Sequence, residues 1–463
     1  MPSDTLAISA ARAPSRWREL IAREDWWAIW IGLALVLAAV IASSSGASIK
    51  WLAVTPQKWS SFDQIAGHFG DNIVRYAALL ALWLVAFGIA VRALGIRLAQ
   101  FVPAFVILFV ATAIVFAIGA WEKASYYGLE PPLVALVVGL IVSNLFVLPD
   151  WFKSALRVEF YVKTGIVLLG AGVPVALILW AGPVAIVQAA IISLATFGTI
   201  FFVAKKLGLD RRLAAVLGTG GAVCGVSASI AIGGAVGAKK EHVSVTITIV
   251  FLFAIVMIFV LPLLARALGL STGVAGAWIG TSEFADAAGF AAAQTYAGFA
   301  GQNGIAGVGD AAVQAFTLMK VIGRDLWIGV WALVLSIVAA TRWEATGVAT
   351  RTGAGEIWKR FPKFVLGFFA ASILVTLAAH GLDYATYKKT IAADVVAPLQ
   401  GLRTWAFTFC FLAIALTTRL RDLSAAGAKP FYAFGAGVAV NLVLGYLLST
   451  QVFAHFWTQL GQP

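Results

Sequence analysis

The chain has 463 residues, of which 61% are hydrophobic and 12% charged. A soluble globular protein carries about 25% charged residues, so the composition excludes a soluble domain and predicts an all-α polytopic membrane protein. The net charge of +12 fits basic cytoplasmic loops, and with no basic stripe interleaved with aromatics it gives no sign of nucleic-acid binding.

In chain order, a tail over 1–25 precedes an apolar run at 26–44. That run is too long and too far from the start for a cleaved signal peptide, which leaves an uncleaved anchor. With roughly 20 apolar residues needed per crossing, further spans are expected at 72–91, 99–119, 131–148, 164–180, 183–203, 213–237, 243–264, 273–297, 312–340, 362–380, 398–418 and 430–452, about thirteen transmembrane helices in all. The first three, within 26–120, are an addition. The last ten divide into two sets of five, 131–267 and 273–453. Five is odd, so two such units would be inverted relative to each other. Placing the N-terminus in the cytoplasm puts Arg12, Arg16, Arg18, Arg23, Lys205, Lys206, Arg211 and Arg212 inside, as the positive-inside rule requires, and places the C-terminus outside. Lys239 and Lys240 dissent, which suggests that 213–237 does not cross as a simple helix. The membrane is then the bacterial inner membrane.

Three stretches carry chemistry. GTGGAVCGVSAS at 218–229 crowds glycines into one span. Each glycine costs about 1 kcal/mol relative to alanine in a helix, which favours a break whose free N–H groups attract anions, with Gly221, Cys224, Gly225, Ser227 and Ser229 as candidate substrate contacts. The bland reading is close helix packing through small residues.

GTSEFADAAG at 280–289 sets Glu283 and Asp286 in an otherwise apolar chain, where an ionised group costs roughly +2.5 to +3.5 kcal/mol on insertion scales. Three apart, they share a face if helical. Thr281 and Ser282 resemble an N-cap that starts a half-helix. Ser282, Glu283 and Asp286 are the candidates for coupling to H⁺ or Na⁺; the alternative is that the carboxylates neutralise a buried Lys or Arg.

TLMKVIGRDLW places Lys320 and Arg324 four apart on one helix face, suited to a small anionic substrate if they face a cavity, with Asp325 next in sequence. Arg403, near the start of 398–418, reads as snorkelling to the outer interface. Asn144 and Asn441 read as interhelical hydrogen-bonding groups. No P-loop, HExxH or GxSxG motif occurs, and Cys224 has no histidine partner in its segment. An enzyme is not expected, nor a cofactor, a bound metal or ATP drive within the chain. The other partner expected besides the lipid bilayer is a second copy in a homodimer.

Taken together, GTGGAVCGVSAS, GTSEFADAAG and AFTLMKVIGRDLWIG resemble the bacterial family labelled sulfate exporters, as do KTGIVLLGAGV, FPKFVLGF, FCFLAIALTTRLRDL and KPFYAFGAGVAVNL. The resemblance runs in order from about residue 131 to 452. That family resembles the wider group of cation–proton antiporters and bile-acid-type symporters, which implies two inverted five-helix repeats with discontinuous helices crossing at midplane. It also implies export of sulfate, sulfite or an organosulfonate. Two competing readings are a cation/proton antiporter using Glu283 and Asp286, and a non-transporting membrane sensor or scaffold.

Overall fold

The computed structural model describes residues 20–21, 23–124, 131–173, 175–302, 304–343, 363–382, 384–419 and 427–460. Most of the N-terminal tail, with Arg12, Arg16 and Arg18, lies outside the described residues, which form helices joined by short turns.

Eight helices are each long and apolar enough to cross a membrane. They are α1 (Glu24–Ser44), α3 (Ile73–Ala93), α4 (Leu98–Gly119), α7 (Val175–Lys206), α10 (Lys240–Ala267), α13 (Gly309–Trp343), α15 (Lys388–Thr417) and α16 (Ala428–Val452). Between them lie α2 (Phe62–Asp71), α5 (Pro131–Leu145), α6 (Val158–Gly170), α14 (Phe364–Ala378) and α17 (Ala454–Gln459). Two further segments are interrupted. One is α8 (Arg211–Ala222) followed by α9 (Val226–Ala235); the other is α11 (Thr272–Ser282) followed by α12 (Asp286–Ala297). Each half is 10–12 residues long, about 15–18 Å at 1.5 Å per residue, so only the paired halves approach the depth of a bilayer.

Two boundaries differ from the sequence reading. The spans expected at 164–180 and 183–203 meet at 171–174 instead, because Pro183 sits inside a continuous α7. Neighbouring helices re-satisfy the backbone group that a proline frees. The chain turns instead after Gly170, where the Ser372 hydroxyl donates to the Val173 carbonyl; Pro174 lies outside the described residues. The helix expected from 398 begins ten residues earlier, at Lys388, so Arg403 lies well inside α15. It is buried, at 5% exposure, and does not snorkel.

The helices pack in two groups. In one, α15 lies against α5 and α6, and α6 against α1 and α14. The added helices α3 and α4 join it through ring contacts, Phe87 of α3 edge-on to Phe160 of α6 at 5.1 Å and Phe109 of α4 stacked on Trp405 of α15 at 4.6 Å. Glu24 pairs with Arg157, and Asp25 with Lys163 at 2.9 Å, fixing α1 to α6 and the turn before it. In the other group α7 packs on α8, α13 and α16, and α11 on α13. Its polar seam is satisfied: Thr196 donates to Asn441 (2.7 Å), Trp331 to Ser193 (2.8 Å), and Gln188 to Ser449 (2.8 Å). Asn441 thus makes the interhelical bond expected of it.

In a division into five and five, α8–α9 holds the fourth place of the first set and α11–α12 the first place of the second. That division does not superimpose the two interruptions in order.

Candidate functional site

The two interruptions have one design. Each removes three residues from a helix, Val223–Gly225 in one and Glu283–Ala285 in the other. An interrupted helix ends with carbonyls that have no intrahelical partner and restarts with free N–H groups. The glycine of the first break is required twice over. Gly225 has φ +65°, a region that L-residues rarely adopt, and a Cβ there would lie 2.9 Å from the Phe284 carbonyl oxygen. The breaks therefore touch, Gly225 against Phe284.

Both half-helix C-termini are met by cations from α13. Lys320 donates to Val223 O at 2.6 Å and to Phe284 O at 3.3 Å, one carbonyl in each break. Arg324 donates to Gly221 O (2.9 Å) and Ala222 O (3.4 Å) at the end of α8. It also reaches Gly280 O (3.2 Å), Thr281 O (2.7 Å) and Glu283 O (3.0 Å) at the end of α11. Positive charge at the negative end of a helix dipole is favourable, and here one guanidinium serves two helices. Both side chains are 0% exposed.

They lie in a π-helical stretch, Leu318–Arg324, where Asp325 N–H bonds Lys320 O at 3.0 Å, five residues back. Such single π turns recur at functional sites. The wider turn brings Asp325 to the lysine: Lys320 Nζ is 3.3 Å from Asp286 Oδ1 and 3.9 Å from Asp325 Oδ1. Asp325 was not among the residues singled out from sequence. Its only signal was its place beside Arg324 in an apolar span; the π turn that aims it has no signature in MKVIGRDLW.

Glu283 and Asp286 do not share a helical face, because the break falls between them. Thr281 and Ser282 close the first half-helix instead of opening the second, which starts at Asp286. In the break, Glu283 Oε1 accepts from the N–H groups of Phe284 (2.8 Å) and Ala285 (3.1 Å). The strand-like backbone at Glu283 (φ −86°, ψ 137°) lets the side chain cap its own following turn, which a helix would forbid. The buried Glu283 Oε2, Asp286 Oδ1 and both Asp325 carboxylate oxygens accept no hydrogen bond from the described residues.

The remaining expected site residues divide. Cys224 is buried within the first break. Gly221 contributes its carbonyl to Arg324 and to Asn441 Nδ2 (3.4 Å). Ser227 stands in the first turn of α9, half-buried, and that turn carries no acidic side chain. Ser229 turns inward and donates to Gly225 O at 2.7 Å, so it stabilises the restart of the helix. Ser282 faces α16, with its hydroxyl 3.4 Å from Asn441 O, away from the carboxylates.

Comparison with known proteins places this arrangement in a family. The model of the family described as conserved hypothetical protein 698 matches residues 103–434. A UPF0324 membrane protein of Rhodopirellula baltica is 30% identical over 97% of this chain and 94% of its own length. One of Nitrosomonas europaea is 30% identical over 89% and 92%. Another, of Nitratidesulfovibrio vulgaris, is 32% identical over 81% of this chain, which spans 63% of that relative. No solved structure gives a significant match. These names say membrane protein and state no substrate. The contact between two interrupted helices described above thus sits in a membrane protein that belongs to the conserved hypothetical protein 698 family.

Proposed function

We propose that the protein is a secondary active transporter whose coupling site is the acidic cluster at the helix crossing. One observation carries the reading. Three buried or nearly buried carboxylates, Glu283, Asp286 and Asp325, accompany two cations, Lys320 and Arg324, and Arg324 is committed to backbone carbonyls. A buried unpaired charge costs several kcal/mol, so the surplus carboxylate calls for a proton or a cation.

The same count separates the readings. A scaffold needs its interior charges to cancel, and three carboxylates against two cations leave one negative charge over. Binding an anion on Lys320 and Arg324 would require both to leave carbonyls and carboxylates they already serve. The crossing therefore supports the coupling ion better than the anion. The transported species is a small anion, the class that the sequence resemblance implies, and the charge bias of the loops supports a cytoplasmic N-terminus. The test is uptake of labelled sulfate and methanesulfonate by proteoliposomes under an imposed proton or sodium gradient. Gradient-driven uptake that disappears in Asp286→Asn supports the proposal; its absence under every gradient defeats it.

A further inference from the structure

Among the described residues Arg403 is the second buried arginine, and its situation is the opposite of that of Arg324. At 5% exposure, none of its guanidinium N–H groups makes a hydrogen bond to a described residue, and its Nε is fully enclosed without a partner. The nearest carboxylate, Asp310, is 3.9 Å from Nη2, half exposed, and already accepts from Gln400 Nε2 at 3.0 Å. Buried polar groups are nearly always hydrogen-bonded, and an orphan calls for a ligand, water or ion. A guanidinium presents five donors and no acceptor, so what it lacks is an acceptor.

The surroundings are polar on several helices. Phe290 of α12 packs on Phe407 of α15 at 4.6 Å, and a Cβ on Gly309 would lie 2.8 Å from Ala297 O. The end of α12, the start of α13 and residues 400–403 of α15 therefore lie at one level. One turn past Phe290 comes Gln294, whose Oε1 is buried with no partner; its amide can present its NH₂ after a flip. Gln314 reaches the Gly172 carbonyl at 3.3 Å, and a Cβ on Gly172 would be 3.8 Å from Gln400 Nε2. Gln314 and Gln400 thus lie by the turn at Gly172, with Gln400 on the same turn of α15 as Arg403, and Gln294 stands at the same level on α12. Along α12 this level is about 12 Å from Asp286, at 1.5 Å per residue.

We propose that Arg403, with Gln294 and Gln400, binds a small oxyanion of the sulfate, sulfonate or carboxylate type, with Asp310 as the competing counterion. The planar fork of a guanidinium matches two oxygens of such a group. The site deepens the transporter reading by separating the anion from the coupling carboxylates, and it rests on that reading only for its part in flux.

The experiment is thermal unfolding of the purified full-length protein with sodium sulfate titrated against sodium chloride at matched ionic strength. Wild type should show a saturable sulfate-dependent rise in Tm. In Arg403→Gln the rise should vanish or need at least ten times more sulfate, and in Arg403→Lys it should weaken, because the charge stays but the fork is lost. Asp310→Asn should tighten binding several-fold. If Arg403→Gln does not fold, Gln294→Leu (weaker) and Asp310→Asn (tighter) decide. No saturable response in wild type overturns the site, as does unchanged binding in Arg403→Gln or, where that variant does not fold, in both others. Arg403-dependent binding without gradient-driven flux would defeat the transporter reading and leave this site. Flux with binding indifferent to Arg403 would do the reverse.

Discussion

Lys320 Nζ lies 3.3 Å from Asp286 Oδ1, while the same ammonium holds a carbonyl in each of two helix breaks. The lysine joins the structural and the ionic halves of the crossing, and replacing it disturbs both. Lys320→Met should destabilise the protein by about 3–5 kcal/mol, the range for breaking a buried charge pair. Asp286→Asn in the same chain should recover part of that loss. Unfolding of the two single variants and the double variant, read as a cycle, measures the coupling; strictly additive effects would show that the pair does not interact.

Arg324→Lys tests whether the arginine is a structural clasp. A lysine keeps the charge but has three rotatable donors in place of a planar fork, too few for the five carbonyls that Arg324 serves at the ends of α8 and α11. Carbonyls left unsatisfied in a buried place cost about 1–3 kcal/mol each, so the unfolding midpoint should fall clearly. Wild-type stability in Arg324→Lys would contradict the clasp.

Gly225→Ala probes the contact between the breaks. The new methyl meets Phe284 O at 2.9 Å in a backbone conformation of φ +65°. The expected loss exceeds about 1 kcal/mol, since an incompatible Gly→Ala costs more than a compatible one gains. Gly46→Ala, also at positive φ (+74°) but with nothing near its Cβ, is the control for strain alone. Equal losses in the two variants would show that the crossing tolerates a side chain.

How much of this was legible in the sequence follows from the residues themselves. Hydropathy is enough for the long helices, because a bilayer demands a certain length of apolar chain. The glycine density at 218–225 announced the first break, since glycine is costly in a helix. The second break was legible only as two charges in an apolar span, and the i, i+3 spacing of Glu283 and Asp286 misled, because the interruption lies between them. Pro183 misled in the other direction, as α7 passes through it. Asp325 stayed hidden because α-helical spacing turns it from Lys320, and only the π turn brings them together. The arginines show the general limit: RD at 324–325 and LRT at 402–404 look alike as isolated charges, and only packing leaves one saturated and the other without a hydrogen bond to a described residue.

Asp325→Asn and Glu283→Gln distinguish the members of the cluster. Asp325 flanks Lys320 and caps nothing, so its amide variant should fold normally and shift the pH dependence of transport. Glu283 also caps its own following turn through Oε1, and a glutamine oxygen can accept the same bonds, so Glu283→Gln should keep stability near wild type while altering coupling. Transport with an unchanged pH profile in both variants would remove these two carboxylates from the mechanism.

The central claim, that the acidic cluster couples transport to an ion, is met most directly by a fluorescent pH indicator sealed inside proteoliposomes. Adding sulfate or methanesulfonate to wild-type vesicles should move protons measurably with the anion, and Asp286→Asn should abolish that movement while the protein remains folded. Proton movement of wild-type size in Asp286→Asn, or anion flux that carries no proton or sodium ion with it, would contradict the account.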